Sequence, residues 1–201
     1  MSTAEERTIC PSHEVFYIRS MLFNAQSALR SVTQINAVLH VVAENSPEDP
    51  IAVEPVFHLL GELQNLITQS AALSRYFWPV RRAHEWRGEQ LRKVFGMSDE
   101  SPLRSRDLRN AIEHLDEQLD RYLENGIVGR ILPEYIGPFQ ERRDVPVHLF
   151  RAYYVDTGIF ELLGNRYEIE PLAREIGRVY EQLRKMDGDG GRLSQRILQN
   201  G

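Results

Sequence analysis

Arg109, Asn110, Glu113 and His114 stand within six residues of one another, in the run Arg109-Asn110-Ala111-Ile112-Glu113-His114. These residue types at this spacing can move a proton and hold an anion. The His114 imidazole, with an ordinary pKa of about 6.5, can serve as base or acid around neutrality. Arg109 keeps its charge and presents a planar fork that fits two oxygens of a phosphate. Asn110, four residues before His114, can orient the imidazole if the segment is helical. Glu113 would raise the basicity of His114 but repel an anion. Arg106, about one turn before Asn110, is a second candidate phosphate contact. A plainer reading uses the same residues: Arg109 and Glu113, at i and i+4, form a surface ion pair worth roughly 0.3–0.5 kcal/mol, and His114 covers a neighbouring helix.

One helix must carry these groups. Over residues 101–124, Ser101 can cap, Pro102 suits a first turn, and Leu108, Ala111, Ile112, Leu115, Leu119, Tyr122 and Leu123 recur at helical spacing. Asn125-Gly126 is the stop. At about 100° per residue the apolar set falls within roughly 60° of Leu108, while Arg109 and His114 lie about 140° apart on the polar side. A single helix can hardly turn both toward one atom. Two copies about a two-fold axis can set the Arg of one beside the His of the other.

The run from Arg109 to His114 on such a helix resembles the motif of the HEPN superfamily (higher eukaryote and prokaryote nucleotide-binding). There an Arg, a polar residue and a His follow one another late in an all-helical bundle. The resemblance spans residues 102–122. It implies a metal-independent endoribonuclease whose site forms across a homodimer, with Arg109, His114 and Asn110 catalytic, Glu113 and Arg106 in support, and neither metal nor cofactor. It also admits a non-catalytic helical dimerisation or partner-binding module, because members without the activity serve as scaffolds or as partners of nucleotidyltransferases. A cognate antitoxin, and toxin or defence roles, are implied by the resemblance alone. RNA cleavage needs a base for the 2′-hydroxyl, a cation over the phosphorane and an acid for the leaving 5′-oxygen, and His114 with Arg109 suits that chemistry.

The 201 residues are 42% hydrophobic and 26% charged, enough to bury a sizeable core as one domain. The net charge of −5 does not advertise nucleic-acid binding, but the charge is uneven. Residues 75–109 hold nine Lys/Arg against five acids, whereas residues 110–124 hold one Arg against five acids. Arg81, Arg82, Arg87, Arg92, Lys93 and Arg104 are therefore the candidate RNA contacts. The acidic part reads equally as a solvated face. Cys10 is the only cysteine, which excludes an internal disulfide and a two-cysteine metal site. No apolar run opens the sequence and no stretch of eighteen apolar residues occurs, so the expected setting is the cytoplasm, away from any membrane.

The other elements frame the central helix. Residues 12 to about 42 read as a long helix with a stripe of Val15, Ile18, Leu22, Ala25, Leu29, Val32 and Leu39. A turn at Ser46-Pro47-Glu48-Asp49-Pro50 leads to a second helix after Pro55, carrying Leu59, Leu60, Leu63, Leu66, Ile67 and Leu73 and stopped by Trp78-Pro79. A third, short and basic, covers about residues 80–95, with Gly96 as its stop. Beyond Gly126 an irregular crossing marked by Gly129, Pro133, Gly137, Pro138 and Pro146 precedes two strands, 148–155 and 158–163, around Asp156-Thr157-Gly158. Gly164-Asn165-Arg166 reads as a turn, Pro171 opens a last helix to about Lys185, and Asp187 starts a disordered tail. The expectation is a mostly α fold: a single domain over 1–186, a four- to five-helix bundle with a small β-hairpin insertion at about 148–163, and a tail over 187–201.

Val155-Asp156-Thr157-Gly158 matches an aspartic-protease signature but lacks the β domain that chemistry needs, so it reads as a hairpin turn. Asp187-x-Asp189 begins like a calcium loop, yet Leu198 stands where the loop's last Glu belongs. Of the other histidines, His40 and His58 read as packed helix residues, His84 as a candidate phosphate neighbour, and His13 and His148 as boundary residues. Tyr17, Tyr76, Tyr122, Tyr135, Tyr153 and Tyr154 read as core, with base stacking as the alternative.

Overall fold

A short 3-10 turn, Pro11–His13, leads into α1 (Glu14–Glu44), which packs against both α2 (Val53–Phe77) and α5 (Ile169–Gly188). The computed structural model describes residues 7–44, 53–105, 107, 110, 115–124, 126–139 and 145–193. The buried face of α1 is Glu14, Ile18, Met21, Ala25, Ala28, Ser31 and Ile35, in steps of three and four. Of the expected stripe only Ile18 and Ala25 are buried; Leu22, Leu29, Val32 and Leu39 are half-buried and Val15 is exposed. Two helices close on α1 at once, so the tightest approach falls to the small Ala25, Ala28 and Ser31 while bulkier residues fill the shoulders.

In α2, Leu59, Leu60, Leu63, Leu66, Ile67 and Leu73 are all buried, as their spacing predicts. The turn expected at residues 46–50 lies outside the described residues. A second 3-10 turn, Arg82–His84, opens α3 (Glu85–Phe95), which stops at Gly96. The Gly96 φ of 59° is left-handed, and the Met97 N–H closes back on the Arg92 carbonyl at 2.9 Å. α3 crosses the end of α2 at the buried Gly88. A Cβ there would lie 2.5 Å from Pro79 Cδ and 2.6 Å from the Phe77 carbonyl oxygen, so the approach requires glycine.

The helix expected over residues 101–124 is interrupted. Pro102–Arg104 is a 3-10 turn that ends at Ser105, whose ψ of 129° leaves helical space; Asp107 and Asn110 are helical, and α4 spans Leu115–Glu124. Ser101 makes no cap bond to this turn; its hydroxyl donates to Glu175 Oε1 at 3.1 Å. Leu103 is buried and its carbonyl accepts from Ser74 Oγ on α2. Pinned from two sides, the turn is committed before the helix proper can start.

Glu175 is gripped by Arg178, Nε to Oε2 at 2.9 Å and Nη2 to Oε1 at 2.8 Å, and Arg178 Nη1 donates to the Phe95 carbonyl at 2.7 Å. α5 thereby holds the exit of α3. Hydrogen bonds from Arg178 keep the Glu175 carboxyl below the usual carboxylate range. Because the folded value is the lower one, this stabilisation is present above the ordinary range and is lost as pH falls through the folded value. Glu175→Gln is expected to cost about 1–3 kcal/mol in urea unfolding at neutral pH, and its gap from the parent should close as the titration is carried into acid.

The expected hairpin is the middle of a larger sheet. β4 (Arg151–Tyr154) and β5 (Ile159–Leu162) pair antiparallel around Asp156-Thr157-Gly158. β6 (Asn165–Glu168) pairs with β5, and β2 (Glu134–Gly137) pairs in parallel with β4, giving the order β2-β4-β5-β6. β1 (Arg130–Ile131) and β3 (Val147–His148) form a second, two-stranded parallel sheet. The crossing after Gly126 thus contains strands, and His148 belongs to β3 rather than to the hairpin. Asn165 and Arg166, expected in a turn, begin β6; Leu163 at φ 47° and Gly164 at 81° make the two-residue loop instead. Tyr153, Phe160, Leu162 and Tyr167 join the helical core, while Leu149, Ala152 and Tyr154 form a small second core.

α5 opens two residues before Pro171 and runs to Gly188. Glu14 accepts from Arg192 Nε at 2.7 Å and from the Leu193 N–H at 2.9 Å, so residues 187–193, expected in the tail, lie against the bundle. The architecture is the expected mostly α bundle, with five α-helices among the described residues and two small sheets.

Candidate functional site

Arg106, Arg109, Glu113 and His114 lie outside the described residues, but their flanks are described. Asn110 is helical and exposed, and its carbonyl accepts from Gln118 Nε2 at 2.7 Å. The motif stands in sequence between the pinned Pro102–Arg104 turn and α4, whose first residue follows His114.

α4 separates its residue types clearly, with Leu115, Leu119 and Tyr122 half-buried and Asp116, Glu117 and Asp120 exposed. None of its residues is fully buried, and Leu123 remains 44% exposed. Tyr122 Oη lies 3.1 Å from His148 Nδ1, the two rings meeting edge to face at 5.9 Å, and His148 Nε2 lies 3.2 Å from the Val128 carbonyl oxygen. A carbonyl only accepts, so Nε2 carries the proton and Nδ1 receives the tyrosine hydroxyl. His148, expected as a boundary residue, is the strut between α4 and β3. Past α4, Val128 and Ile131 are 76% and 60% exposed. Apolar side chains therefore stay uncovered among the described residues from α4 onto β1.

Two of the candidate RNA contacts are occupied within the fold. Arg87 Nη2 donates to the Arg75 carbonyl at 2.9 Å and Arg92 Nη1 to the Phe77 carbonyl, so two guanidiniums of α3 satisfy carbonyls at the C-terminus of α2. Arg87 also lies over the Tyr17 and Tyr76 rings, and Arg92 over Trp78. Arg81, Arg82 and Lys93 are exposed; Arg104 is exposed and pairs with Asp99 at 3.3 Å. His84 is exposed in its turn, and His40 and His58, expected to be packed, are exposed as well, because the inward faces of α1 and α2 are filled by aliphatic neighbours.

Beside the start of the motif segment the fold leaves a cavity of about 310 Å³ between the Pro102 turn and the start of α5, lined by Pro102, Ser105, Tyr167, Pro171 and Leu172 with Arg166. Tyr167 is 7% exposed and stacks at a tilt on Phe160 at 6.4 Å. Its hydroxyl is buried without a hydrogen-bond partner among the described residues, a deficit that costs about 1–3 kcal/mol. Burial, with the Asp107 carboxylate adding to it, pushes the Tyr167 pKa up to about 12. Tyr167 stands just past the turn expected at Gly164-Asn165-Arg166 and before the helix expected from Pro171, outside every expected element. The alternation Asn165-Arg166-Tyr167-Glu168, polar residues around one aromatic, was the available strand signal.

Among the described residues no three His, Cys, Asp or Glu side chains converge where one metal ion could be held. Nor, among those residues, is any helix long and apolar enough to cross a membrane. No family model matches the sequence, and comparison with curated proteins and with solved structures finds no matching relative.

Proposed function

We propose that this protein is a HEPN-like, metal-independent endoribonuclease that acts in the cytoplasm as a homodimer, cleaving RNA by 2′-hydroxyl attack where Arg109 of one copy meets His114 of the other. The observation that supports this most is α4. It follows His114 directly; Leu115, Leu119 and Tyr122 on its apolar side are only half-buried, and Leu123, with Val128 and Ile131 beyond it, is exposed among the described residues. A two-fold copy on that side would bury these residues and draw the two motifs together.

In such a cleft His114 takes the 2′-hydroxyl proton, and Arg109 holds the non-bridging oxygens as charge builds on phosphorus. Asn110 orients the imidazole or holds the ribose, and the proton passes to the leaving 5′-oxygen, giving a 2′,3′-cyclic phosphate. Arg106 is the second phosphate contact and Glu113 tunes His114. RNA contact beyond the cleft falls to the exposed Arg81, Arg82, Lys93 and Arg104, since Arg87 and Arg92 are engaged with carbonyls of α2.

A second reading, a non-catalytic dimerisation or partner-binding module, is favoured by one observation. The exposed Asp116, Glu117 and Asp120 follow the motif immediately and would repel RNA. A cognate antitoxin or a nucleotidyltransferase would then cover the apolar side of α4.

Light scattering is expected to return twice the 23.3 kDa chain mass. The double substitution Leu123→Glu and Val128→Glu should give a monomer with unchanged helical content and lose RNA cleavage. A monomeric parent at tens of micromolar would remove the dimer, and an inactive dimer would leave the module as the better reading.

A further inference from the structure

β6 is the last strand of its sheet, and its outer edge keeps three backbone groups unpaired among the described residues. β5 and β6 are joined by the two-residue loop Leu163-Gly164, with φ of 47° and 81°. Such a loop is closed by a hydrogen-bonded pair, here Leu162 with Asn165, and along an antiparallel ladder bonded pairs alternate with unbonded ones. Glu161 with Arg166 and Ile159 with Glu168 are therefore the unbonded pairs. The Ile169 N–H bond to the Gly158 carbonyl at 3.2 Å continues the same alternation. Arg166 and Glu168 consequently turn their N–H and C=O away from β5, toward an edge where no described strand lies. Glu168 is also the N-cap of α5, so its carbonyl already accepts the first helical bond. The Arg166 N–H, the Arg166 carbonyl and the Glu168 N–H remain.

Those three groups fit a parallel neighbour. In a parallel pair one residue donates its N–H to a carbonyl of the facing strand and accepts from the N–H two places further on. Here that residue would stand beside Tyr167, donating to the Arg166 carbonyl and accepting from the Glu168 N–H. The residue two places before it would accept from the Arg166 N–H. An antiparallel neighbour would bring a further N–H to the Glu168 carbonyl, which is already taken. A second copy of β6 about a two-fold axis pairs antiparallel and meets the same obstacle. The residue beside Tyr167 turns its side chain to the Tyr167 face. There Pro102, Pro171 and Leu172 wall a cavity of about 310 Å³ that runs along this edge, lined also by Arg166, Tyr167 and Glu168. The next residue lies beside Glu168, whose exposed carboxylate makes no cap bond to α5. We propose that β6 is a docking edge for an extended peptide segment of another protein, added in parallel as a fifth strand, with an apolar residue in this cavity and a basic residue directly after it. The edge calls for N–H and C=O groups alternating at the spacing of a peptide backbone, which RNA does not carry. Nothing in this edge depends on the ribonuclease reading.

The full chain is titrated by calorimetry with the synthetic peptide acetyl-Thr-Thr-Thr-Leu-Arg-Thr-amide, its leucine meant for the cavity and its arginine for Glu168. Three altered peptides are compared: one N-methylated at the leucine, one with aspartate in place of the leucine, and one with glutamate in place of the arginine. The parent protein binds the first peptide. N-methylation removes the N–H meant for the Arg166 carbonyl and weakens binding about tenfold. Aspartate in the cavity costs about tenfold as well, and glutamate beside Glu168 about threefold. Glu168→Lys, a change of an exposed side chain, reverses that last preference, so that the glutamate peptide binds more tightly than the arginine peptide. A nitroxide on the peptide N-terminus broadens the Asn165 amide signal more than that of Ile169, as parallel pairing requires. A parent that does not bind the peptide at millimolar concentration overturns the proposal. So do an N-methylated peptide that binds like the unmodified one, a Glu168→Lys protein that still prefers arginine, or broadening that is strongest at Ile169. Oligouridylate, or a second copy on raising the protein concentration, that shifts the Asn165 and Arg166 amides where the peptide does not assigns the edge to that occupant and equally overturns it.

Discussion

His114→Ala is expected to cleave single-stranded RNA in EDTA about 10²- to 10⁴-fold more slowly than the parent, the range that loss of a positioned proton-transfer group produces. Its mass in solution and its melting point should be unchanged, because the sequence periodicity sets position 114 outside the apolar stripe expected for its segment. Arg109→Lys should be impaired as well, since an ammonium cannot reproduce a bidentate fork on a phosphate. Products from the parent should end in a 2′,3′-cyclic phosphate. Cleavage that persists undiminished in His114→Ala would sink the mechanism. An unfolded His114→Ala would instead mark a structural histidine.

Phe77→Ala should be the most destabilising single truncation in the bundle. The Phe77 ring is fully buried, edge-on to Phe95 at 5.4 Å and to Trp78 at 5.9 Å, at the point where α3 crosses the end of α2. Removing it costs about 3–5 kcal/mol in transfer and cavity terms, a large share of the roughly 5–15 kcal/mol that a domain possesses. Phe16→Ala, at a site 71% exposed, should change stability by no more than about 0.5 kcal/mol. The comparison is read in urea, where the midpoint shifts and the slope should not. A Phe77→Ala protein within 1 kcal/mol of the parent, as an order of magnitude, would mean that this corner repacks freely.

What was legible in the sequence follows from the range of the forces involved. The leucines of α2 and the stop at Gly96 are local effects, periodicity and a left-handed cap, and they stand where expected. The inward face of α1 was misjudged because it is built on Ala25, Ala28 and Ser31, which a search for large apolar residues ranks low. β2 pairs with a strand seventeen residues away, Glu134 beside Arg151, and such parallel pairing leaves no turn signature. Arg87 and Arg92 look like a basic surface in one dimension; only the crossing of α3 over α2 turns them into caps. At the site, the break at Ser105 and the unpaired Tyr167 hydroxyl are tertiary facts, set by Ser74, Glu175 and the sheet rather than by neighbours in sequence.

The place of α1 between α2 and α5 also sets a timetable during synthesis. α2 follows α1 almost at once, but α5 begins 125 residues after α1 ends, at Ile169 against Glu44. At roughly 5–20 residues per second, the side of α1 that meets α5 waits about 6–25 s after leaving the ribosome. Through that interval a helical hairpin stands half covered, and the Glu14 clasp on Arg192 and Leu193 can close only once those residues have been made. Nascent chains of this protein should therefore need shelter while the sheet is being made, and a ribosome stalled before residue 169 would present chaperones with the same uncovered stripe.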